Sequence, residues 1–257
     1  MSADDHLVAS LKQLRLSGVL ATLEARTEQA IREQWSFVEF LTRLLQDEAE
    51  RRQQKQLDQR LRRGKVLAAK TLESFDFRFN PGINRQQLLD LASCSFVRKR
   101  RNVLICGQTG VGKTHLAQAL ANEAARQGFD VLCTDAHAML LHIHAGRADG
   151  SDERRLLSYT KPAVLVIDDF GLKPLPPSGP ADLYDVINGR YERGSIILTS
   201  NRAPAEWAEL WGDPLLASAG LDRLAHGATV VTITGKSYRL SQRALAAAKQ
   251  EDEMPPD

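Results

Sequence analysis

Gly107-Gln108-Thr109-Gly110-Val111-Gly112-Lys113-Thr114 sets glycines, a lysine and a hydroxyl in the G-x-x-x-x-G-K-[ST] spacing that grips nucleotide phosphates. Where side chains are missing, successive backbone N–H groups can turn inward around a phosphate. Lys113 is placed to reach the β- and γ-phosphates, and the Thr114 hydroxyl to ligate Mg²⁺. An apolar run, Val103-Leu104-Ile105-Cys106, precedes the loop, and a helix-like run from His115 to Ala121 follows it. Strand, glycine loop and helix together direct the positive end of the helix at the same phosphates. The expected ligands are ATP and Mg²⁺.

Two further clusters end apolar runs. Asp168 and Asp169 follow Ala163-Val164-Leu165-Val166-Ile167, and Asn201 follows Ser195-Ile196-Ile197-Leu198-Thr199-Ser200. In a parallel sheet the carboxyl ends of the strands face the ligand crevice, which brings these polar groups beside the glycine loop. Asp168 suits holding Mg²⁺ through its water shell, and Asp169 suits orienting or deprotonating an attacking water. The Asn201 amide fits contact with the γ-phosphate and that water. Plainer readings stand beside these. Asp-Asp-Phe-Gly also suits a strand end and turn, and Asn201 also suits capping a helix entered at Pro204.

The elements that must position these groups read as an alternation: strand 103–106, helix 113–127, strand 129–134, helices over 136–160 and strand 163–167. A helix over 181–193, strand 195–199, short helices to Leu224 and strand 228–233 complete it. Such alternation predicts an α/β fold with a parallel sheet and right-handed crossovers. Upstream, apolar residues at three- and four-residue spacing (Leu11, Leu14, Val19, Leu20, Leu23) predict helices, with Gly18 interrupting the first run. A second run starts near Ser36 with Phe37, Phe40, Leu41, Leu44 and Leu45. The expected organisation is a small all-helical N-terminal domain over 1–66, serving DNA binding or dimerisation, and a linker over 67–82. The aromatic residues of that linker are expected to tack it onto the nucleotide domain at 83–250, which opens with one helix over Ile83–Phe96; a frayed tail at 251–257 ends the chain.

A chain of 257 residues accommodates one α/β domain plus a smaller appendage. Its 43% hydrophobic and 26% charged content is that of a soluble globular protein, and no run approaches a membrane span. The N-terminus has neither the basic region nor the apolar core of a signal peptide. Three cysteines without paired spacing predict ordinary buried thiols and a reducing cytoplasm. His142 and His144 offer two imidazoles with no further ligands clustered beside them.

The formal charge of +2 conceals segregation. Arg51, Arg52, Lys55, Arg60, Arg62, Arg63 and Lys65 fall within fifteen residues that hold a single acid, Asp58, and Arg98-Lys99-Arg100-Arg101 precedes the first strand. This is the footprint of phosphate-backbone contact with duplex DNA, largely without sequence reading. Few aromatics are interleaved, so stacking on single strands is not suggested.

Taken together, the glycine loop, Val166-Ile167-Asp168-Asp169-Phe170-Gly171, Thr199-Ser200-Asn201, Thr71-Leu72-Glu73-Ser74-Phe75-Asp76-Phe77, Arg190-Tyr191-Glu192-Arg193 and Leu221-Asp222-Arg223-Leu224 resemble the IstB family of transposition helper ATPases. That family is a branch of AAA+ close to the helicase loader DnaC and the initiator DnaA. The resemblance spans nearly the whole chain. It implies a helical N-terminal domain ahead of an AAA+ domain, slow ATP hydrolysis stimulated by DNA or a partner, and homo-oligomers. It further implies that these oligomers wrap and bend duplex DNA, choose the target site and recruit an IstA-like transposase. AAA+ sites form between subunits, so a neighbour's arginine is implied, with Arg223 as the first candidate and Arg190 or Arg193 as the alternatives. Asn201 corresponds to sensor 1. Arg239, in Gly235-Lys236-Ser237-Tyr238-Arg239, falls where sensor 2 would, although little chain remains for the usual four-helix lid. Asp169 replaces the glutamate of many AAA+ proteins, which suits a timer better than a motor. A DnaC-like helicase loader and a small-molecule phosphotransferase are the rival classes.

Overall fold

The structure, a computed structural model, describes residues 3–241; the expected tail at 251–257 lies outside them. The chain divides at Gln59/Arg60 into two compact units.

In the first unit α1 (Ala3–Gln13), α2 (Ser17–Glu33) and the start of α3 (Phe37–Arg63) enclose a small core of Leu11, Val19 and Leu44, flanked by Leu16, Leu20, Leu23 and Phe40. The Ser36 hydroxyl accepts from the Glu39 N–H at 3.2 Å and caps α3. Gly18 does not interrupt a helix. The break falls at Leu14–Leu16, and Gly18 lies buried in the first turn of α2, where an added Cβ would stand 2.6 Å from the Cα of Glu48. Buried Glu48 accepts the Val19 N–H at 3.4 Å and the Arg52 Nε–H at 2.6 Å, locking α2 against α3. Arg26 grips Asp47 through both carboxylate oxygens, at 2.9 and 2.7 Å, and holds that carboxyl down at about 2. Phe37, Val38, Leu41 and Leu45 of α3 remain exposed.

The second unit opens with the end of α3 and a segment that follows α6 (Lys113–Arg126). The Cys133 N–H donates to the Gly64 carbonyl at 2.7 Å, Leu67 N–H to Gln118 Oε1 at 2.9 Å, and Asn122 Nδ2 to the Ala68 carbonyl at 3.3 Å. The single helix expected over Ile83–Phe96 is two: α4 (Arg85–Ala92) and α5 (Ser95–Arg98). Ser93 turns its hydroxyl onto the Asp90 carbonyl at 2.6 Å and Cys94 adopts φ +55°, which ends α4.

The described strands are β1 (Val103–Gly107), β2 (Val131–Asp135), β3 (Val164–Phe170), β4 (Ser195–Ser200) and β5 (Thr229–Ile233). They form one parallel sheet in the order β2-β3-β4-β1-β5. Alternation of strands and helices favours a parallel sheet with helical crossovers. The interposed helices are α7 (Ala136–Ala145), α8 (Asp152–Thr160), α9 (Gly179–Arg190), α10 (Trp207–Trp211) and α11 (Pro214–Ala225). One core of Leu104, Met139, Leu140, Leu165, Phe170, Val186, Leu198, Trp207 and Trp211 lies between the sheet and α7, α9, α10 and α11. β4 separates β1 from β3. The glycine loop after β1 and the acids of β3 therefore face each other across the tip of β4. No described helix is long and apolar enough to cross a membrane.

Candidate nucleotide site

The loop between β1 and α6 is shaped by glycine. Gly110 adopts φ +84°, and a Cβ there would stand 2.1 Å from Ser237 Oγ. Gly112, which caps α6, adopts φ +105°, and a Cβ would meet the Phe75 ring at 2.7 Å. Both positions combine left-handed backbone with close approach, which only glycine satisfies. The resulting concavity, about 840 Å³, is lined by Thr109, Gly110, Val111, Gly112, Lys113 and Thr114 from the loop. Asp169 and Asn201 enter from the neighbouring strands, and Tyr238 and Arg239 from the segment after β5. Its size suits a nucleotide.

Lys113 donates to the Gln108 carbonyl at 2.9 Å. Burial pushes its ammonium down, while the charges of Asp169 and Asp168 oppose that shift. Thr114 Oγ1 donates to Asp168 Oδ1 at 3.0 Å, joining the start of α6 to β3. Thr199 Oγ1 donates to the same oxygen. These are hard oxygen donors of the kind that hold Mg²⁺ beside phosphates, so Thr114 and Asp168 can take a metal.

β3 continues through Asp168 and Asp169, where the expected strand stopped at Ile167, but its register with β4 shifts between Ile167 and Phe170. Asp169 sits in this bulge at φ +56°, and its N–H donates to Thr199 Oγ1 at 3.0 Å. A bulge re-aims a side chain at a functional edge, and here it turns Asp169 into the cavity. Burial raises the Asp169 carboxyl above the usual range, and the charges of Asp168 and Asp135 add to this.

Asn201 lines the cavity and does not cap the following turn. That turn, Pro204–Glu206, is entered from Ala203 without a side-chain cap. Buried Ser200 instead ties the strand end together, donating to the Phe170 carbonyl at 2.8 Å.

Residues the sequence reading assigned to a tether form a wall of the site. Ser74, Phe75, Asp76, Phe79 and Asn80 line the cavity. Phe75 packs edge-on against Phe77 at 4.9 Å and His115 at 5.2 Å, and Phe79 against Tyr238 at 5.0 Å. His115 Nε2 donates to the Thr71 carbonyl at 2.9 Å, Asn80 Nδ2 to Val111 at 3.3 Å, and the Tyr238 N–H to Gly110 at 2.9 Å. The available signal was the density of aromatics at Phe75, Phe77 and Phe79. Thr199 gave no signal beyond its place at a strand end.

The remaining sequence candidates lie elsewhere. Arg190, an alternative for the arginine supplied to a neighbour, is buried with 1% exposure. It donates to the carbonyls of Tyr159, Thr160, Pro162, Ala163 and Ser195 at 2.7–3.3 Å, and burial pushes it down to about 10. It knits α8, α9 and β4 and cannot reach outward, which removes it as a candidate. Arg193 is exposed in the turn before β4. Arg223, half-buried on α11, donates to the Ala219 carbonyl at 2.9 Å and lies over the rings of Tyr184 and Tyr191. It is absent from the nucleotide cavity. Of the basic run, Arg51, Arg52 and Lys55 are exposed in the first unit, with Arg52 tied to Glu48. Arg62, Arg63 and Lys65 are exposed and Arg60 half-exposed in the second. His142 meets the Tyr159 hydroxyl at 2.8 Å and His144 the Ser178 hydroxyl at 2.9 Å. Burial raises the thiols of Cys94 and Cys106 to about 11 and of Cys133 to about 12.

The IstB-like ATP binding protein family matches residues 9–246. A Pseudomonas aeruginosa protein named as an ATP-binding protein of insertion sequence IS21 is 37% identical over 250 residues, covering 97% of this chain and 94% of that protein. A Mycobacterium tuberculosis insertion-sequence protein, also named for ATP binding, is 41% identical over 241 residues, covering 93% and 96%. Among solved structures, DnaA bound to AMPPCP and single-stranded DNA is similar at TM-score 0.55 and 23% identity, covering 71% of this chain and 56% of that one. DnaI is similar at TM-score 0.55 and 22% identity, covering 64% and 90%. These likenesses show a shared AAA+ fold. With a glycine-built phosphate cradle between β1 and α6 and this match along almost its whole length, the chain belongs to the IstB-like ATP-binding protein family of insertion sequences.

Proposed function

We propose that this chain is an ATP-hydrolysing subunit that assembles with copies of itself on duplex DNA, remodels it to select an insertion site, and engages a partner transposase. The observation that carries this reading is the single cavity shared by Lys113, Asp169 and Asn201, with Arg223 held outside it. That Lys113, Asp169 and Asn201 share one cavity while Arg223 lies outside it supports a site to which a neighbour's Arg223 is added. The insertion-sequence relatives supply the setting.

Mg²⁺, held by Thr114 and Asp168, would offset charge on the phosphates of bound ATP. Lys113 grips the β- and γ-phosphates, and Asn201 orients the attacking water. Asp169 takes that water's proton, a role favoured by a carboxyl poised above the usual range. Phe75, Phe79 and Tyr238 offer apolar surface to the base, and Arg239 senses the terminal phosphate. Arg51, Lys55, Arg62, Arg63 and Lys65 neutralise backbone phosphates, releasing counterions that offset bending of the duplex. Exposed Phe37, Val38, Leu41 and Leu45 suit association of N-terminal units.

The test is binding to labelled duplex and single strands across a salt series, with ATP and with ADP. The reading predicts duplex preference, a steep salt slope, and tighter binding with ATP. Preference for single strands, indifferent to nucleotide, would replace it with a helicase-loader role.

A further inference from the structure

The helix after the glycine loop carries a polar stripe that phosphate binding does not explain. His115, Gln118 and Asn122 recur on α6 at three- and four-residue spacing and so share one face. Gln118 and Asn122 are buried, with 8% and 2% exposure. All three turn onto residues 67–74. Gln118 Oε1 accepts the Leu67 N–H at 2.9 Å, and Asn122 Nδ2 donates to the Ala68 carbonyl at 3.3 Å. His115 Nε2 donates to the Thr71 carbonyl at 2.9 Å and lies 3.2 Å from the Ser74 hydroxyl.

The segment held in this way joins two regions of different chemistry. It begins at the end of α3, where Arg62, Arg63 and Lys65 are exposed and Lys65 adopts φ +53° as the chain leaves the helix. Gly64 pins that corner to β2. Its carbonyl accepts the Cys133 N–H at 2.7 Å, and an added Cβ would stand 2.4 Å from the Val131 carbonyl oxygen. The segment ends at the nucleotide cavity, where Ala69, Lys70, Ser74, Phe75 and Asp76 form part of the wall. Val66 and Leu72 are buried apolar anchors, whereas Leu67 between them is 54% exposed. Between the anchors, hydrogen bonds to α6 hold the chain. Water replaces such bonds at modest net cost, so a strap seated in this way can be ordered or released by a ligand more readily than one seated on apolar contacts.

We propose that Gln118, Asn122 and His115 are positioning residues, seating residues 64–76 as a strap through which duplex DNA at Arg62, Arg63 and Lys65 tightens the nucleotide. This rests on the reading that the basic end of α3 contacts duplex. Phosphate contacts at that end steady Gly64 and the seated residues beyond it, so part of the ordering of the cavity wall precedes nucleotide binding. The strap forms the side of the cavity assigned to the base. Its effect is therefore common to ADP and ATP and absent for a bare polyphosphate.

The experiment measures ADP and tripolyphosphate binding by calorimetry, with and without a short duplex, in wild type, Gln118→Met and Asn122→Leu. Using ADP keeps assembly through a terminal phosphate out of the readout. In wild type the duplex should tighten ADP about fivefold or more and leave tripolyphosphate unchanged. Both variants should bind tripolyphosphate like wild type, which shows that they are folded. They should bind ADP about fivefold more weakly and lose the duplex effect. A variant that keeps the full duplex effect on ADP would overturn the proposal. Equal weakening of ADP and tripolyphosphate would make the stripe a support of the glycine loop alone, and would overturn it too. Duplex binding by the double variant Arg62→Gln, Arg63→Gln separates the two readings. Wild-type duplex affinity in that variant would remove the basic end of α3 from DNA contact. Weakened duplex affinity there, with no duplex effect on ADP in wild type, would leave that contact standing and overturn the strap.

Discussion

The Asp169 N–H donates to Thr199 Oγ1 at 3.0 Å, and that same hydroxyl donates to the Asp168 carboxylate. One threonine at the tip of β4 thus fixes both consecutive acids of β3, one bonded to Thr114 and one facing the cavity. Replacing Thr199 with valine keeps the shape and removes both bonds. ATP turnover should fall about 10–100-fold through misplacement of Asp169, at a stability cost of about 1–3 kcal/mol. Nucleotide binding should change little. Turnover and equilibrium binding measured on one preparation check this.

Asp169→Asn should bind nucleotide normally and hydrolyse it at least about 100-fold more slowly, leaving long-lived complexes. Phosphate release at the wild-type rate would remove Asp169 from the chemistry. Two pH effects follow from the raised carboxyl. As a base Asp169 acts when ionised, so wild-type turnover should decline as pH falls through a value above the ordinary carboxylate range of about 4. In stability the sign reverses. A carboxyl raised on folding costs stability once the pH exceeds its unfolded value, so Asp169→Asn should melt above wild type at neutral pH without nucleotide.

Gly112→Ala should weaken nucleotide binding by about tenfold or more, because left-handed backbone and the Phe75 ring both reject a Cβ. The linker would have to lift from the loop, so limited proteolysis near Thr71–Phe77 should accelerate.

Arg190→Met should destabilise the fold by about 3–5 kcal/mol, since several buried carbonyls lose their donor at once. Thermal unfolding checks this. A variant as stable as wild type, yet defective only in assembly, would restore Arg190 as an outward-acting group.

Much of the site was legible in the sequence because its signals are local. The glycine loop, the apolar strands and the helix after Lys113 declare themselves within a few residues, and strand alternation places the acids and Asn201 at one edge. What escaped depends on register and contact. The bulge at Asp169 arises from pairing of β3 with β4, which no single segment contains. The linker reads as a tether until Phe75 and Asn80 are seen against Gly112 and Val111. Gly18 looked like a helix breaker because the close approach of Glu48 is thirty residues distant in sequence. Arg190 and Arg223 are equivalent as letters, and only burial separates the one bonded to carbonyls inside the fold from the one left half-buried on α11.

The most direct test of the central claim is the mass of the complex formed on duplex DNA, with and without a non-hydrolysable ATP analogue. A large, discrete assembly that appears only with the analogue is the predicted result, and Lys113→Ala should abolish it. A monomer or dimer of unchanged mass in both conditions would contradict assembly through a shared nucleotide site.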